Sequence, residues 1–439
     1  MTRTRPNARR LAVLVIGLAS LGTLARAPAR AGEPFVRRPM AMSGSGISWQ
    51  AAPAGILAAR GEVPASLSIA TVDTQPYTGY ENAIYAADDS TVYVAYKRFL
   101  SAPSGGGYVP AELRVAKSTD GGRTWSITVV DPNAIEEADT VDNSVSIDGD
   151  HTQAVYVAYH VRSSGLFADM KLKVAKSLDG GSTWTTSTIA DAYAGDQNSI
   201  HVFAASAAVV SAHANGTLEG IHAYITRDGG STWSDTLVAG GLGNGYYTSV
   251  GAVNPNAIWV GYYNGLYPDD TDLNAGRRFA GGAWKTEVVD GSPGDPNTTG
   301  LGTSVTMAPG QVVYLAYEAD TTTGTFVRVA RSTDGLNWTI VPVQQDVTIG
   351  WNTAVHTAGA SEVYVSYWRV PTGSRGMPMF AVSHDGGGTW TPYTIPDPRY
   401  AEPYLDSTAP SAAVQFESYQ TVDPSTYKQP ILRVARIGS

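Results

Sequence analysis

Apolar and polar residues alternate in short runs that recur along the chain at nearly constant spacing. Val92-Tyr-Val-Ala-Tyr96, Val155-Tyr-Val-Ala-Tyr159, Ile258-Trp-Val-Gly-Tyr262, Val313-Tyr-Leu-Ala-Tyr317 and Val363-Tyr-Val-Ser-Tyr367 each read as a strand of β-branched and aromatic residues. A preceding strand begins at Asn82-Ala-Ile84, Asn143-Ser-Val145, Asn198-Ser-Ile200, Thr248-Ser-Val250, Thr303-Ser-Val305 and Thr353-Ala-Val355. Leu113-Arg-Val-Ala-Lys117 and Leu172-Lys-Val-Ala-Lys176 mark a third strand, and Trp125-Ser-Ile-Thr-Val129 a fourth. No long helical period appears.

Between the third and fourth strands lies a repeated box. Its copies are Ser118-Thr-Asp-Gly-Gly-Arg-Thr-Trp125, Ser177-Leu-Asp-Gly-Gly-Ser-Thr-Trp184, Thr226-Arg-Asp-Gly-Gly-Ser-Thr-Trp233, Ser332-Thr-Asp-Gly-Leu-Asn-Trp338 and Ser383-His-Asp-Gly-Gly-Gly-Thr-Trp390. A degenerate copy, Arg278-Phe-Ala-Gly-Gly-Ala-Trp284, keeps the Gly pair and the Trp but lacks the Asp. The Trp positions are 59, 49, 51, 54 and 52 residues apart, a period that fits one four-stranded propeller blade. The chain ends supply one blade more. Ile431-Leu-Arg-Val-Ala-Arg436 copies the third strand and the chain stops there, while Leu67-Ser-Ile-Ala-Thr-Val72 matches the fourth strands. The expected fold is all-β: a seven-bladed β-propeller of four-stranded blades over residues 66–439, closed by the N-terminal strand, which covers an otherwise open edge.

The first 31 residues read as a signal peptide. Arg3, Arg5, Arg9 and Arg10 precede an apolar run from Leu11 to Ala25, and Ala29-Arg30-Ala31 is a small-x-small cleavage pattern. Residues 32–65, rich in Ala, Pro, Gly and Ser, read as a flexible lead-in. Export is therefore expected, to the periplasm, cell surface or medium. No later run is apolar enough to span a membrane. Cleavage removes six Arg and leaves 24 basic against 39 acidic residues, a net charge of −15. Such a surface disfavours nucleic acid as a partner. The absence of Cys excludes disulfides, thiolate metal sites and thiol catalysis. No metal or cofactor is expected, and the expected state is a monomer. Asp270, Asp272 and Asn274 alternate in a predicted loop, but Ala275 stands where a calcium loop needs Gly.

Each box Asp can accept hydrogen bonds from its own turn, the Gly residues permit positive φ, and the Trp buries a large apolar face. One acid per box cannot supply the six or more oxygens that calcium takes. These S-x-D-G-G-x-T-W segments resemble the Asp-box, or bacterial neuraminidase repeat, of the sialidase-like propeller superfamily. The resemblance covers residues 66–439 and implies a β-propeller with its boxes facing away from any site. Sialidases carry a Phe/Tyr-Arg-Ile-Pro segment and six blades; this chain has no Arg-Ile-Pro and repeats for seven.

A site is then expected on the opposite face, built from the loops between strands two and three and between strand four and the next strand one. Arg98, Arg162 and Arg369 lie two or three residues past the second-strand Tyr, and together form a candidate ligand-binding set for a carboxylate or sulfate. The other loops carry Tyr77, Tyr80, Tyr193, Tyr246, Tyr247, Trp351, Tyr400 and Tyr404; Tyr247 and Trp351 are the leading candidates for stacking on sugar rings. Glu81 and Asp142 fall at matching positions of neighbouring repeats, as candidates for a catalytic carboxylate pair. Three functions fit: a glycan-binding propeller, a glycoside hydrolase of sialidase type, and a non-catalytic protein-interaction scaffold. The first is the leading expectation, with a glycan or glycoconjugate as partner.

Overall fold

The computed structural model describes residues 66–102, 108–137, 144–164, 169–191, 193–215, 218–241, 244–266, 269–291, 297–346, 350, 352–370, 376–423 and 430–438. The expected signal peptide and lead-in lie outside these residues, as do Asp142 and Trp351. Among the described residues no helix is long and apolar enough to cross a membrane.

The strands form antiparallel quartets in chain order. The first joins Thr78–Ala86, Val92–Phe99, Ala111–Ser118 and Ser126–Asp131; the second joins Val145–Gly149, Val155–Arg162, Met170–Ser177 and Thr185–Ala190. The third runs through Ala194–Ala204, Ala207–Ala214, Gly220–Thr226 and Ser234–Gly240. The fourth (Asn244–Asn254, Ala257–Leu266, Asp269–Phe279, Lys285–Asp290) and fifth (Thr298–Ala308, Val312–Thr321, Gly324–Ser332, Thr339–Asp346) are linked by a single parallel bridge, Thr271 to Thr298. The sixth holds Ala354–Thr357, Val363–Arg369, Met377–Ser383 and Thr391–Thr394. The last holds Tyr400–Ser411, Val414–Val422 and Ile431–Gly438, with Ser66–Asp73 beside Ile431–Gly438, from Ser66 opposite Gly438 to Asp73 opposite Leu432. Asp270, Asp272 and Asn274 lie in a strand, Asp269–Phe279, rather than in a loop.

Second strands are buried on both faces, as in Val92–Tyr96, because a sheet packs on either side of them. Fourth strands are the exposed edges, as the pattern of Ser126–Asp131 shows. First strands contact one another from quartet to quartet, and Tyr400–Ser411 contacts Thr78–Ala86. Polar side chains stitch these contacts. The hydroxyls of Ser199, Ser249 and Ser304 accept from the backbone N–H of Val250 (3.1 Å), Val305 (3.0 Å) and Val355 (3.1 Å) in the next quartet. Asp406 accepts from Ile84 N–H at 2.9 Å in the same manner.

A second stitch repeats further out. A residue at or just past the end of a fourth strand accepts the Tyr hydroxyl of the following quartet's second strand: Asp131 from Tyr159 (2.7 Å), Asp290 from Tyr317 (2.5 Å) and Asp397 from Tyr419 (2.9 Å). The same carboxylates pair with Lys173, Arg328 and Arg433. Asp73, on the N-terminal strand, takes Tyr96 at 2.8 Å and Arg114 at 2.9 Å.

One expected alignment is corrected. Ile84 lies opposite Val94 and Ile147 opposite Val157, so Ile147, not Val145, is the counterpart of Ile84. The hairpin length decides this: eight positions separate Ile84 from Val92 and Ile147 from Val155. By that count the counterpart of Glu81 is Ser144, not Asp142.

The boxes have the hydrogen bonds their composition predicts. Asp120 Oδ1 accepts from the N–H of Arg123 (3.0 Å) and Thr124 (2.9 Å), and Oδ2 from the Thr124 hydroxyl (2.6 Å). Gly121 and Gly122 sit at φ 73° and 81°, where a side chain would be strained. Trp125 Nε1 donates to Gly122 O at 3.1 Å. In the degenerate copy the Arg278 guanidinium binds Gly281 O (3.1 Å) and Gly282 O (2.9 Å), closing the turn without the Asp. Several boxes are also held by the preceding quartet: Tyr93 OH and Lys117 Nζ donate to Gly180 O at 3.1 and 2.7 Å, and Tyr314 OH to Gly386 O at 3.1 Å.

The box carboxyls sit below their ordinary range, Asp179 and Asp385 at about 2, because turn hydroxyls and N–H groups bond the ionised form. Depressed carboxyls contribute stability that is present above the unfolded value near 3.8 and lost as pH falls toward 2. Asp179→Asn should therefore lower the Tm at pH 6 and bring it closer to that of the wild type at pH 2.5, by differential scanning calorimetry. An equal deficit at both pH values would show that the charge contributes nothing.

Candidate functional site

The end of the sheets opposite the boxes is where second strands finish and first strands begin. One position past the second-strand Tyr, pairing register aligns Lys97, His160, His213, Tyr263, Glu318, Trp368 and Gln420. Every quartet thus places a polar or aromatic side chain at this one position. All but Trp368 are at least nine-tenths buried.

Backbone geometry at the facing first strands is equally unusual. Glu81, Gln197, Tyr247 and Asn352 adopt left-handed φ of 50°, 47°, 54° and 52°. The register slips beside three of them, between Tyr80 and Ala83, Asp196 and Ser199, and Tyr246 and Ser249, as in a bulge. Non-glycine residues held there store strain, and such strain gathers at functional sites.

The first two quartets share a buried charge cluster. Lys97 Nζ pairs with Glu136 and lies 2.9 Å from Glu81; Ser144 Oγ is 3.2 Å from Lys97 and donates to Glu81. His160 Nε2 lies 3.1 Å from Glu136. Burial raises Glu81, outweighing Lys97. Burial would raise Glu136 as well, but the charges of His160 and Lys97 hold it down to about 2. His160 is raised: burial opposes its charge, and Glu136 wins. This chemistry positions the strand ends. Among the described residues Glu81 is buried and its carboxylate is already engaged by Lys97 and Ser144.

Aromatic rings continue the band. Tyr246 packs on His213 (centroids 4.5 Å) and Tyr263 (5.5 Å), and Tyr247 on Tyr263 (5.7 Å). Tyr247 is 3% exposed and its N–H bonds the Gln197 side chain, so it supports the patch from behind, while Tyr246 is half-buried and presents it. Burial lowers His213 to about 4, keeping it neutral. A second patch stacks Tyr80 on Phe99 at 4.3 Å with Tyr404 edge-on at 5.8 Å.

The three Arg are placed at this end but differently from the sequence expectation. Arg98 and Arg369 share one register position, whereas Arg162 lies one residue further along, opposite Met170, so its side chain points to the other face of its sheet. Arg98 lies 3.6 Å from Glu112, Arg369 bonds Asp346 (Nε at 2.6 Å), and Arg162 Nε donates to Ser164 O at 3.2 Å beneath the Tyr108 ring. Each has a local partner, and no contact among the described residues joins the three. The sequence expectation does not include Lys97, His160, His213 and Tyr263, although Lys97 and His160 each directly follow a Val-Tyr-Val-Ala-Tyr pentad.

No protein-family model matches the chain, and no curated protein does. Solved structures do. An ulvan lyase, described as a new family of polysaccharide lyase, is 14% identical, covers 82% of this chain and 93% of its own, and has a TM-score of 0.55. An uncharacterised protein from Dyadobacter fermentans is 12% identical over 85% and 98% of the chains, with a TM-score of 0.52. An α-L-arabinofuranosidase from Fusarium graminearum is 13% identical over 84% and 97%, with a TM-score of 0.50. At these identities the likeness is one of fold, a propeller of four-stranded antiparallel sheets.

Proposed function

We propose that the chain is an exported, seven-bladed propeller closed by Ser66–Asp73, and that it recognises a glycan through the face opposite its boxes. The observation that carries the reading is the half-buried Tyr246 ring, backed by His213, Tyr263 and Tyr247 and held on strained, hydrogen-bonded strand ends. Rigid tyrosine faces with polar edges match the C–H surfaces and hydroxyls of a sugar. The closed ring is supported by Asp73, which makes the Tyr and Arg bonds that fourth-strand acids make elsewhere. Export rests on the basic and apolar N-terminal segment, with residues 1–31 as signal peptide and 32–65 as lead-in. Two of the structural neighbours are named for polysaccharide or arabinoside chemistry, and one ulvan lyase structure holds a glucuronate–sulfated rhamnose unit. Arg98 and Arg369 already bond carboxylates, so an anionic ligand would compete with Glu112 and Asp346.

The test is a glycan array on the mature protein, followed by titration calorimetry. Tyr246→Ala should weaken the best glycan about tenfold, the scale of one lost aromatic contact. Arg98→Lys should weaken sialylated or sulfated ligands only, since a point charge cannot replace the guanidinium fork. A fluorogenic glycoside panel run alongside tests the hydrolase alternative. No retained glycan, or retention indifferent to Tyr246→Ala, would favour the protein-interaction scaffold.

A further inference from the structure

Asp196 breaks a pattern at the end of the sheets opposite the boxes. Pairing register sets it across from His213, as it sets Tyr80 across from Lys97, Tyr246 across from Tyr263 and Leu301 across from Glu318. Four quartets thus share one position. Three of them fill it with an aromatic ring or a Leu, and the third quartet fills it with a carboxylate.

The neighbours fix where that carboxylate sits. Directly opposed side chains on a ladder stand on one face, with Cβ atoms about 5 Å apart. Asp196 is thereby beside His213, on which the Tyr246 ring packs with centroids 4.5 Å apart. One imidazole borders both the carboxylate and the half-buried phenol. The strand end that carries Asp196 is pinned on both sides. Gly195 has φ 120°, and a Cβ there would meet His160 Cβ at 2.6 Å. Gln197 has φ 47°, and its side chain accepts from Tyr247 N–H.

Asp196 is half-buried and its bonding is incomplete. Oδ2 accepts from Asn215 Nδ2 over a long 3.5 Å. Among the described residues no hydrogen bond reaches Oδ1, and no Lys or Arg pairs with the carboxylate. His213 is neutral, lowered by burial to about 4, and His160 already serves Glu136 at 3.1 Å. A carboxylate only accepts hydrogen bonds. Next to an aromatic face it suits a ligand that stacks an apolar ring face and turns hydroxyl donors outward at the rim. A neutral sugar ring with two adjacent hydroxyls has that form. A uronate or sulfate at the same edge meets like charge, and an apolar peptide side chain brings no donor.

We propose that Asp196 determines the specificity of the Tyr246 patch: it accepts two neighbouring hydroxyls of a neutral sugar stacked on Tyr246 and turns away sugars that carry an acid at that edge. The inference rests on the glycan reading above and deepens it by naming the sugar class.

The experiment is titration calorimetry of the full chain with galactomannan, arabinoxylan, mixed-linkage β-glucan and carboxyl-reduced polygalacturonate, against polygalacturonate and dextran sulfate. About 0.15 M salt limits the reach of the chain's net negative charge to about 8 Å. At least one neutral polymer is expected to bind, and more tightly than either acidic one. Asp196→Asn keeps the shape and should weaken that polymer about tenfold or more, the scale of a charged hydrogen bond. It should also narrow the preference for neutral over acidic polymers, which a purely structural role would leave unchanged. Tighter binding of an acidic polymer than of every neutral one overturns the proposal without any variant, so the test stands even if Asp196→Asn fails to fold. A folded Asp196→Asn that keeps its affinity and preference, while Tyr246→Ala loses affinity, overturns the role of Asp196 and leaves the glycan face standing. Binding of no polymer, or unchanged affinity in Tyr246→Ala, overturns both.

Discussion

Replacing Asp73 with Ala should lower the unfolding free energy by about 2–3 kcal/mol, the range for losing charged hydrogen bonds in a buried setting. Asp73 is 3% exposed and accepts from Tyr96 OH and Arg114 Nη1, both in the first quartet, while its own strand pairs with Ile431–Gly438 in the last. The carboxylate therefore joins the two ends of the chain. Without it Arg114 keeps Glu112 at 2.7 Å, which limits the loss, but the Tyr96 hydroxyl is left buried without an acceptor. Asp73→Asn should recover the Tyr96 bond but not the ion pair and fall between. The measurement is urea unfolding of the four proteins of a cycle with Tyr96→Phe, where the coupling between the two positions should exceed about 0.5 kcal/mol, beyond what independent sites show. An Asp73→Ala cost within about 0.5 kcal/mol, typical of surface substitutions, would remove the N-terminal strand from the account of stability.

How much of this was legible in the chain differs from residue to residue. The second-strand tyrosines stand out because each closes an alternating pentad, and the boxes because Asp, Gly and Trp recur at fixed offsets. Their partners do not stand out. Asp73, Asp131 and Asp290 each follow a Val at a strand end and Asp397 lies just past one, a pattern too short to single out by itself, so spatial register is what reveals their common role. The second repeat shows a related effect. Asn143-Ser-Val145 looks like Asn82-Ala-Ile84, but the length of the following hairpin, not the tripeptide, sets which residue faces which. At the end of the sheets opposite the boxes, the sequence points to Arg98 and Arg369 but not to Glu112 and Asp346, whose side chains approach from a neighbouring strand. Lys97 gives no signal of its own, because a Lys at a strand end looks solvated in the sequence. Its burial follows from Glu136, which lies in a connection that carries no periodic signal.

Lys97→Met should cost about 3–5 kcal/mol at pH 7, the scale of breaking a buried ion pair by removing one partner. Lys97 is fully buried, and its loss leaves Glu81 and Glu136 facing each other with only His160 to compensate. The deficit should shrink as pH falls. In the wild type Glu136 is held to about 2, so its contribution is present above the unfolded value near 4.5 and lost as pH falls from there toward 2. Glu81 is raised, so it favours the fold below that same value and loses this as pH rises through its folded range; His160, also raised, favours the fold below about 6.5 and loses this at higher pH. Without Lys97 both carboxyls take up protons at higher pH, and a protonated pair no longer repels. The wild-type and variant curves, from urea unfolding at pH 7 and pH 4.5, should therefore converge on the acid side. A double substitution, Lys97→Met with Glu136→Gln, should recover part of the pH 7 loss, because a neutral amide needs no counter-charge, and the two effects should be non-additive. A deficit that is constant with pH, or a double variant as unstable as the sum of its parts, would mean that Lys97 acts through packing of its alkyl chain, and the strained strand ends at Glu81 would need another support.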